Sequence, residues 1–213
     1  MVAFMSNKKT VIYIVRHGQS EASGHGVYGT DASLTQKGYQ QAKDASKVFE
    51  EIDIDKIFAS NLQRAQQTAA VIAQKHNLLV ETTVGLQEPF YGQLEGKSRK
   101  QAKEEFNERF IMREALTDEE RMKFKIVPDM ESDAEALNRF LSALILLVKA
   151  NPQRTILIIS HVPLMKLLLI HLGYATRKQL KGESIENGGY IKLKSDGEQF
   201  DVIETHGIHL KEV

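Results

Sequence analysis

Hydrophobic positions fall into two rhythms along the chain. Thr10 to Val15 (TVIYIV), Lys56 to Ala59 (KIFA) and Thr155 to Ser160 (TILIIS) are nearly continuous, β-branched-rich runs, as strands covered on both faces must be. Each is followed by a polar turn and a stretch in which apolar residues return every three or four positions, the period of a helix packed along one face. Alternation of this kind predicts βα units and a mostly parallel sheet. Helix starts are marked too. Thr35 precedes QKGYQQAKDASKVFEE, SNLQ (60 to 63) reads as a capping box opening RAQQTAAVIAQKH, and SDAE (132 to 135) as another opening ALNRFLSALILLVKA. Near the end, GGYIKLKSDGEQFDVIET predicts two strands joined at Asp196-Gly197, an antiparallel edge to the sheet. Lys97 to Val127 breaks the rhythm with dense charge and scattered Phe, Met and Leu. It predicts one or two amphipathic helices inserted over one end of the sheet.

Composition narrows this picture. With 213 residues, 42% of them hydrophobic, the chain fits residues 1–213 as one domain carrying an insertion. Lys and Arg number 28 and so do Asp and Glu, so no global field favours nucleic acid or an anionic membrane, and anion recognition must be local. Cysteine is absent, which excludes disulfides, thiolate catalysis and cysteine-based zinc sites. MVAFMSNKKT has no apolar core of a signal peptide, and FLSALILLV and LMKLLLIHL are too short to span a bilayer. A soluble cytoplasmic protein is the expectation.

Candidate chemistry gathers at the ends of the strands. Ligands of an open parallel sheet bind beyond the carboxyl ends of its strands. Arg16, His17 and Gly18 follow the first strand and His161 follows TILIIS in the same sense, so both histidines belong to one rim. Arg64 lies one turn into a helix, where a cation opposes the macrodipole unless an anion binds there as well. Glu88, in the Gly-rich LQEPFYGQLEG, is either a solvated loop acid or a proton donor in a closed site. Two histidines, two arginines and a carboxylate suit phosphoryl transfer. The guanidiniums neutralise phosphoryl oxygens, one imidazole attacks phosphorus and the acid protonates the departing oxygen. The plainer alternatives are a strand-end histidine satisfied by its neighbours and arginines in surface salt bridges.

The same segments, taken in order, resemble the histidine phosphatase superfamily, which includes the phosphoglycerate mutases. VRHGQSE is similar to its signature, DASLTQKGYQQA to its D-x-x-L-T-x-x-G-x-x-Q-A block and ASNLQRAQQTA to its S-x-L-x-R-A-x-Q-T-A block. EPFYGQLEG resembles E-x-x-x-G-x-x-E-G, PDMES resembles P-x-G-E-S, IISHVP occupies the place of the V-S-H-G segment, and IENGGYIKL resembles a late Asn-containing strand. The resemblance implies a three-layer α/β/α sandwich around a mostly parallel sheet. It implies His17 as a nucleophile that becomes phosphohistidine, Gly18 as the residue permitting the tight backbone, Arg16 and Arg64 as phosphoryl ligands, His161 as a phosphoryl donor and Glu88 as the acid and then base. It implies no metal and no organic cofactor.

Departures from the family pattern bear on function. Ser23 stands where Asn often touches phosphate, Val162 where Gly follows the second histidine and Met130 where the P-x-G-E-S block has Gly. Pro89 and Phe90 replace the Arg and His of the mutases' E-R-H-Y-G, and Arg109 and Arg113 are isolated where mutases carry an Arg pair. These losses favour a phosphomonoesterase for a small phosphorylated metabolite over a phosphoglycerate mutase. A non-catalytic phosphate-binding or scaffold protein is the alternative from another class. Tyr91 and Arg99 are further candidate substrate contacts. Arg99, with Lys97 and Lys100, reads either as a solvated helix face or as a clamp for a second anionic group. Glu131 and Ser132 read as a helix start, and Asn187 either as a turn residue or as one that reaches the pocket. His206 and His209 have no carboxylate partner in the sequence pattern. Monomer and dimer are both open.

Overall fold

Strand β1 (Thr10–Arg16) turns Ile12 and Ile14 to one side and Tyr13 and Val15 to the other, and all of them are buried. The computed structural model describes residues 9–24 and 26–212, without the side chains of residues 23 and 24, and builds the molecule on both sides of that strand. A short helix α1 (Glu21–Gly24) follows it. Strands β2 (Lys56–Ser60), β3 (Val80–Thr83) and β4 (Thr155–Ser160) run parallel to β1, while β5 (Ile185–Ser195) is antiparallel to β1 and β6 (Phe200–Ile208) antiparallel to β5. Among the described residues the sheet has six strands in the order β3-β2-β4-β1-β5-β6. The antiparallel edge is therefore the β5–β6 hairpin, with β5 the reversed strand and β6 outermost.

Period-two alternation divides the core. Ile12, Ile14, Ile156 and Ile158 pack with Phe140 and Leu144 of α7 (Asp133–Ala150) and Leu164 and Leu168 of α8 (Val162–His171). Tyr13, Val15, Leu157 and Ile159 pack with Phe49 of α2 (Gln36–Phe49) and Ala65, Ala69 and Ile72 of α3 (Gln63–His76). Helices thus cover both faces, which is why β1 and β4 are apolar at successive positions. No helix of the described residues is long and apolar enough to cross a membrane.

The charged insertion is more broken than its sequence suggests. It forms α4 (Arg99–Glu105), α5 (Asn107–Ala115) and α6 (Asp118–Lys123), three short helices where one or two are expected; capping boxes at Ser98 and Thr117 open α4 and α6, and α5 starts at Phe106 without a side-chain cap. Ala102 of α4 and Phe110 of α5 pack in a small apolar centre with Leu94, Ile126 and Val127, while Met122 of α6 packs against the main core.

Of the expected caps, Thr35 accepts from the Gly38 amide and Ser132 forms a full capping box with Glu135. The box expected at Ser60 does not form. Ser60 stays in β2 as a buried residue, its hydroxyl accepts from the Leu62 amide rather than from an amide of the first turn of α3, and Leu62 is the N-cap. The first amide of α3, on Gln63, instead donates to the Asp31 carboxylate at 2.7 Å, a cap delivered from a distant loop that local spacing cannot reveal.

A candidate phosphate site at the strand ends

All the parallel strands deliver a candidate residue at the same edge. β1 ends in Arg16 and His17, β2 leads through Leu62 to Arg64, β3 leads through a 3-10 turn (Val84–Leu86) to Glu88, and β4 leads directly to His161. The reversed strand β5 begins at that edge and contributes Ile185 and Asn187. The structure thus brings Arg16, His17, Arg64, Glu88 and His161 together.

His17 is buried and held by its backbone as well as its ring. The Asn187 side-chain amide donates to its carbonyl at 2.8 Å, and its ring Nδ1 lies 2.6 Å from the Gly18 carbonyl. A carbonyl only accepts, so Nδ1 carries the proton and Nε2 keeps its lone pair. Arg64 Nε donates to that Nε2 at 3.2 Å. Burial, with Arg64 and Arg16 nearby, holds the His17 pKa well below the ordinary imidazole value, so the ring is neutral.

Gly18 is required sterically. A Cβ there would lie 2.4 Å from the Gly38 carbonyl oxygen, and one on Gly38 would lie 1.9 Å from the Gln19 carbonyl oxygen. The Gly18 amide donates to Thr68, whose hydroxyl donates to the Arg64 carbonyl at 2.7 Å. Thr68 and Asn187 therefore fix the loop that presents His17. The first lies in the quoted motif without an obvious role, and the second is the residue for which the sequence offers both a turn and a reach into the pocket.

Arg64 is 2% exposed and spends its whole guanidinium here: Nε on His17, one terminal nitrogen on the Thr30 carbonyl at 2.8 Å, the other on Glu88 at 2.5 Å. The other Glu88 oxygen accepts from the Tyr91 hydroxyl at 3.3 Å, and burial together with Glu88 pushes the Tyr91 pKa well above the ordinary phenol value. One terminal nitrogen of Arg16 donates to the Ile185 carbonyl, while its Nε is buried without a partner among the described residues.

His161 lies behind His17, ring centroids 4.9 Å apart, at the cap position of α8. It is fully buried, and neither ring nitrogen has a hydrogen-bond partner among the described residues. Burial and the neighbouring His17 and Arg64 keep its pKa well below the ordinary value. Buried polar atoms without partners are rare in native proteins.

The loop carrying Glu88 is braced by residues with no assigned role in the sequence pattern. One terminal nitrogen of Arg139, from α7, donates to the carbonyls of Val84, Gly85 and Gln87, and its other nitrogens donate to the Glu131 carboxylate. Glu131 also accepts from the Phe90 amide at 2.9 Å, and its own amide donates to the Phe90 carbonyl. Glu131 is thus more than part of a helix start.

The site opens into a cavity of about 810 Å³ lined by Arg16, His17, Arg64, Glu88 and Tyr91 on one side and by Arg99, Phe110 and Arg113 from the inserted helices on the other. Val162 and Met130, the replacements for family glycines, both face it. The basic cluster divides: Arg99 lines the cavity, Lys97 pairs with Glu105, and Lys100 belongs to a separate surface depression. The Ser23 side chain lies outside the described residues. His209 does have a carboxylate partner, Glu186 at 2.8 Å on the surface, and His206 stacks on Tyr190. Among the described residues no group of three or more metal-ligating side chains forms.

A model of the histidine phosphatase superfamily (branch 1) matches residues 12–206. The chain belongs to that superfamily. Within it, the chain is 36% identical over 104 residues to a 2,3-bisphosphoglycerate-dependent phosphoglycerate mutase of Streptococcus thermophilus, a match covering 46% of this chain and 45% of the mutase. It is 29% identical over 101 residues to the adenosylcobalamin/alpha-ribazole phosphatase of Escherichia coli, covering 46% of this chain and 50% of the relative. These matches span about half the length of the curated relatives. A mycobacterial glucosyl-3-phosphoglycerate phosphatase superposes with a TM-score of 0.77 at 22% identity, covering 93% of this chain and 98% of that one, which shows a shared fold.

Proposed function

We propose that this chain is a metal-independent phosphomonoesterase that hydrolyses a small phosphorylated metabolite through a phosphohistidine on His17. The observation that carries this reading is the buried His17, its Nδ1 against the Gly18 carbonyl and its Nε2 facing Arg64, with unpartnered nitrogens on the neighbouring His161 and Arg16. A phosphoryl group bound there satisfies those orphans, and two guanidiniums supply the positive charge its oxygens require.

In the first step the phosphoryl oxygens draw Arg64 off both His17 Nε2 and Glu88, and the freed carboxylate takes up the proton of the phosphomonoester monoanion; His17 Nε2 then attacks phosphorus, the ester P–O bond breaks, and Glu88 gives that proton to the departing oxygen. In the second, Glu88 takes a proton from water, the resulting oxygen attacks phosphorus, the P–N bond breaks and phosphate leaves with His17 restored. Phosphoryl oxygens compete with Glu88 for Arg64 and free the carboxyl to face the leaving group. Hydrolysis is favoured over mutase transfer because Arg113 is engaged by Asp133, and Arg109 by the Lys125 and Ile126 carbonyls and the Phe124 ring, so neither is free to hold a second phosphate.

The test is release of inorganic phosphate from p-nitrophenyl phosphate in EDTA. Turnover undiminished by the chelator is the expected result, and phosphate binding without turnover across sugar phosphates, phosphoglycerates, nucleotides and phosphopeptides would instead favour the non-catalytic reading.

The Arg139 brace gives a second expectation. Arg139→Ala leaves Glu88 chemically intact but loosens its loop, so kcat/KM for an alkyl phosphate should fall between about ten- and a hundredfold. For p-nitrophenyl phosphate, whose leaving group needs little protonation, the fall should be smaller. A purely structural defect would lower both rates alike.

A further inference from the structure

Strand β5 carries a reactive dipeptide at the point where it supports His17. Asn187 precedes Gly188, and no other asparagine of the chain precedes a glycine: the rest are followed by Lys, Leu, Glu, Arg or Pro. An asparagine carboxamide can close a five-membered ring with the amide nitrogen of the next residue. Glycine, without a Cβ and free to adopt unusual φ, hinders that closure least. Asn138 contrasts with it, since the ladder of α7 occupies the amide that follows, and Asn151 precedes Pro152, which has no N–H.

The fold leaves this dipeptide open to the reaction. β5 pairs with β1 from Tyr190 to Ser195, and its register with β6 shifts between Ile185 and Tyr190, so Asn187 and Gly188 lie in an irregular stretch where the φ of Gly188 is +80°. Both residues are partly exposed, so water reaches them. Asn187 is also the residue that ties β5 to His17, its Nδ2 donating to the His17 carbonyl at 2.8 Å. A carboxylate in its place has no N–H to donate and would set negative charge against that carbonyl oxygen.

We propose that Asn187–Gly188 is a site of spontaneous deamidation, and that its conversion disables the phosphate site by withdrawing the support of His17. The Gly188 nitrogen, its proton passing to solvent base, attacks Asn187 Cγ; the Cγ–Nδ2 bond breaks and Nδ2 leaves as ammonia, giving a succinimide. Water then adds to one of the two ring carbonyls and breaks its bond to nitrogen. Opening at the side-chain carbonyl leaves aspartate, and opening at the main-chain carbonyl leaves isoaspartate, with one more methylene in the backbone of β5. Either product lacks the donor that meets the His17 carbonyl. The effect on turnover rests on the phosphomonoesterase reading, whereas the modification itself does not.

The test holds the wild-type protein at mildly alkaline pH and divides each timed sample between peptide mass spectrometry and the p-nitrophenyl phosphate assay. The peptide containing Asn187 should gain the mass of an amide-to-acid exchange ahead of every other asparagine peptide, and activity should fall in step with the converted fraction. Asn187→Asp should show kcat/KM lowered by about ten- to a hundredfold, as for a displaced nucleophile. Asn187→Ala, which loses the donor without gaining charge, should lose less and should not decay on the same incubation. Asn187 persisting after other asparagines have converted, or converted protein that keeps full activity, overturns the proposal, and this comparison stands even if Asn187→Asp fails to fold. Failure of the fresh wild type to hydrolyse any phosphate ester defeats the phosphatase reading instead. Mass spectrometry then still decides the modification, and calorimetry of inorganic phosphate binding to fresh and converted protein decides its effect on the site.

Discussion

His17→Ala is expected to lower kcat/KM for p-nitrophenyl phosphate by about 10³-fold or more, because removing a nucleophile abolishes the covalent route and leaves only the binding and polarising groups. The wild-type enzyme, quenched during turnover into alkali, should carry a phosphoryl group on a ring nitrogen of His17, stable to base and lost in acid as phosphoramidates are. The variant should carry none. Retention of most of the activity in His17→Ala would remove the proposed nucleophile.

The same residue carries a pH expectation whose sign follows from its surroundings. Burial and the guanidiniums of Arg64 and Arg16 disfavour imidazolium, so the folded-state pKa lies below the ordinary value. The unfolded chain therefore binds a proton at His17 at a pH where the folded chain does not. Acidification through the ordinary imidazole range costs stability while leaving the native ring neutral. In a nitrogen-detected NMR titration of the free protein, His17 should remain in its Nδ1-protonated neutral form at pH 6.5. A half-charged ring there would contradict the buried, arginine-flanked environment.

Much of this site was legible in the sequence because the physics that forms it is local. Strands buried on both faces announce themselves by continuous apolar residues, and their direction places Arg16, His17 and His161 on one rim without further information. The site's supports were not legible, because they act across the fold. Asp31 caps α3 from 32 residues away, Arg139 reaches back 52 residues to the Gln87 carbonyl, and Asn187 reaches back 170 to His17. The misread box at SNLQ shows the limit from the other side. Its spacing fits a local rule, but burial of Ser60 in β2 takes the hydroxyl away from the helix.

Glu88→Gln should separate proton donation from phosphate binding. The amide is isosteric: its oxygen still accepts from Arg64, its NH2 replaces the oxygen that faces the Tyr91 hydroxyl and donates to it instead, and the loop braced by Arg139 and Glu131 has no reason to move. What it lacks is a transferable proton. General acid catalysis is worth about 10²- to 10⁴-fold, and that is the expected loss in kcat for an alkyl phosphate, whose alkoxide leaves badly unprotonated. For p-nitrophenyl phosphate the first step should be nearly spared, since p-nitrophenolate leaves as a stable anion. Its second step still needs Glu88 to activate water, so phosphohistidine should accumulate and p-nitrophenol should appear as a burst followed by a slow phase. Equal losses on both substrates with no burst would assign the role of acid to another group, and Tyr91, whose hydroxyl already faces Glu88 in a buried position, is the neighbour that Tyr91→Phe would then test.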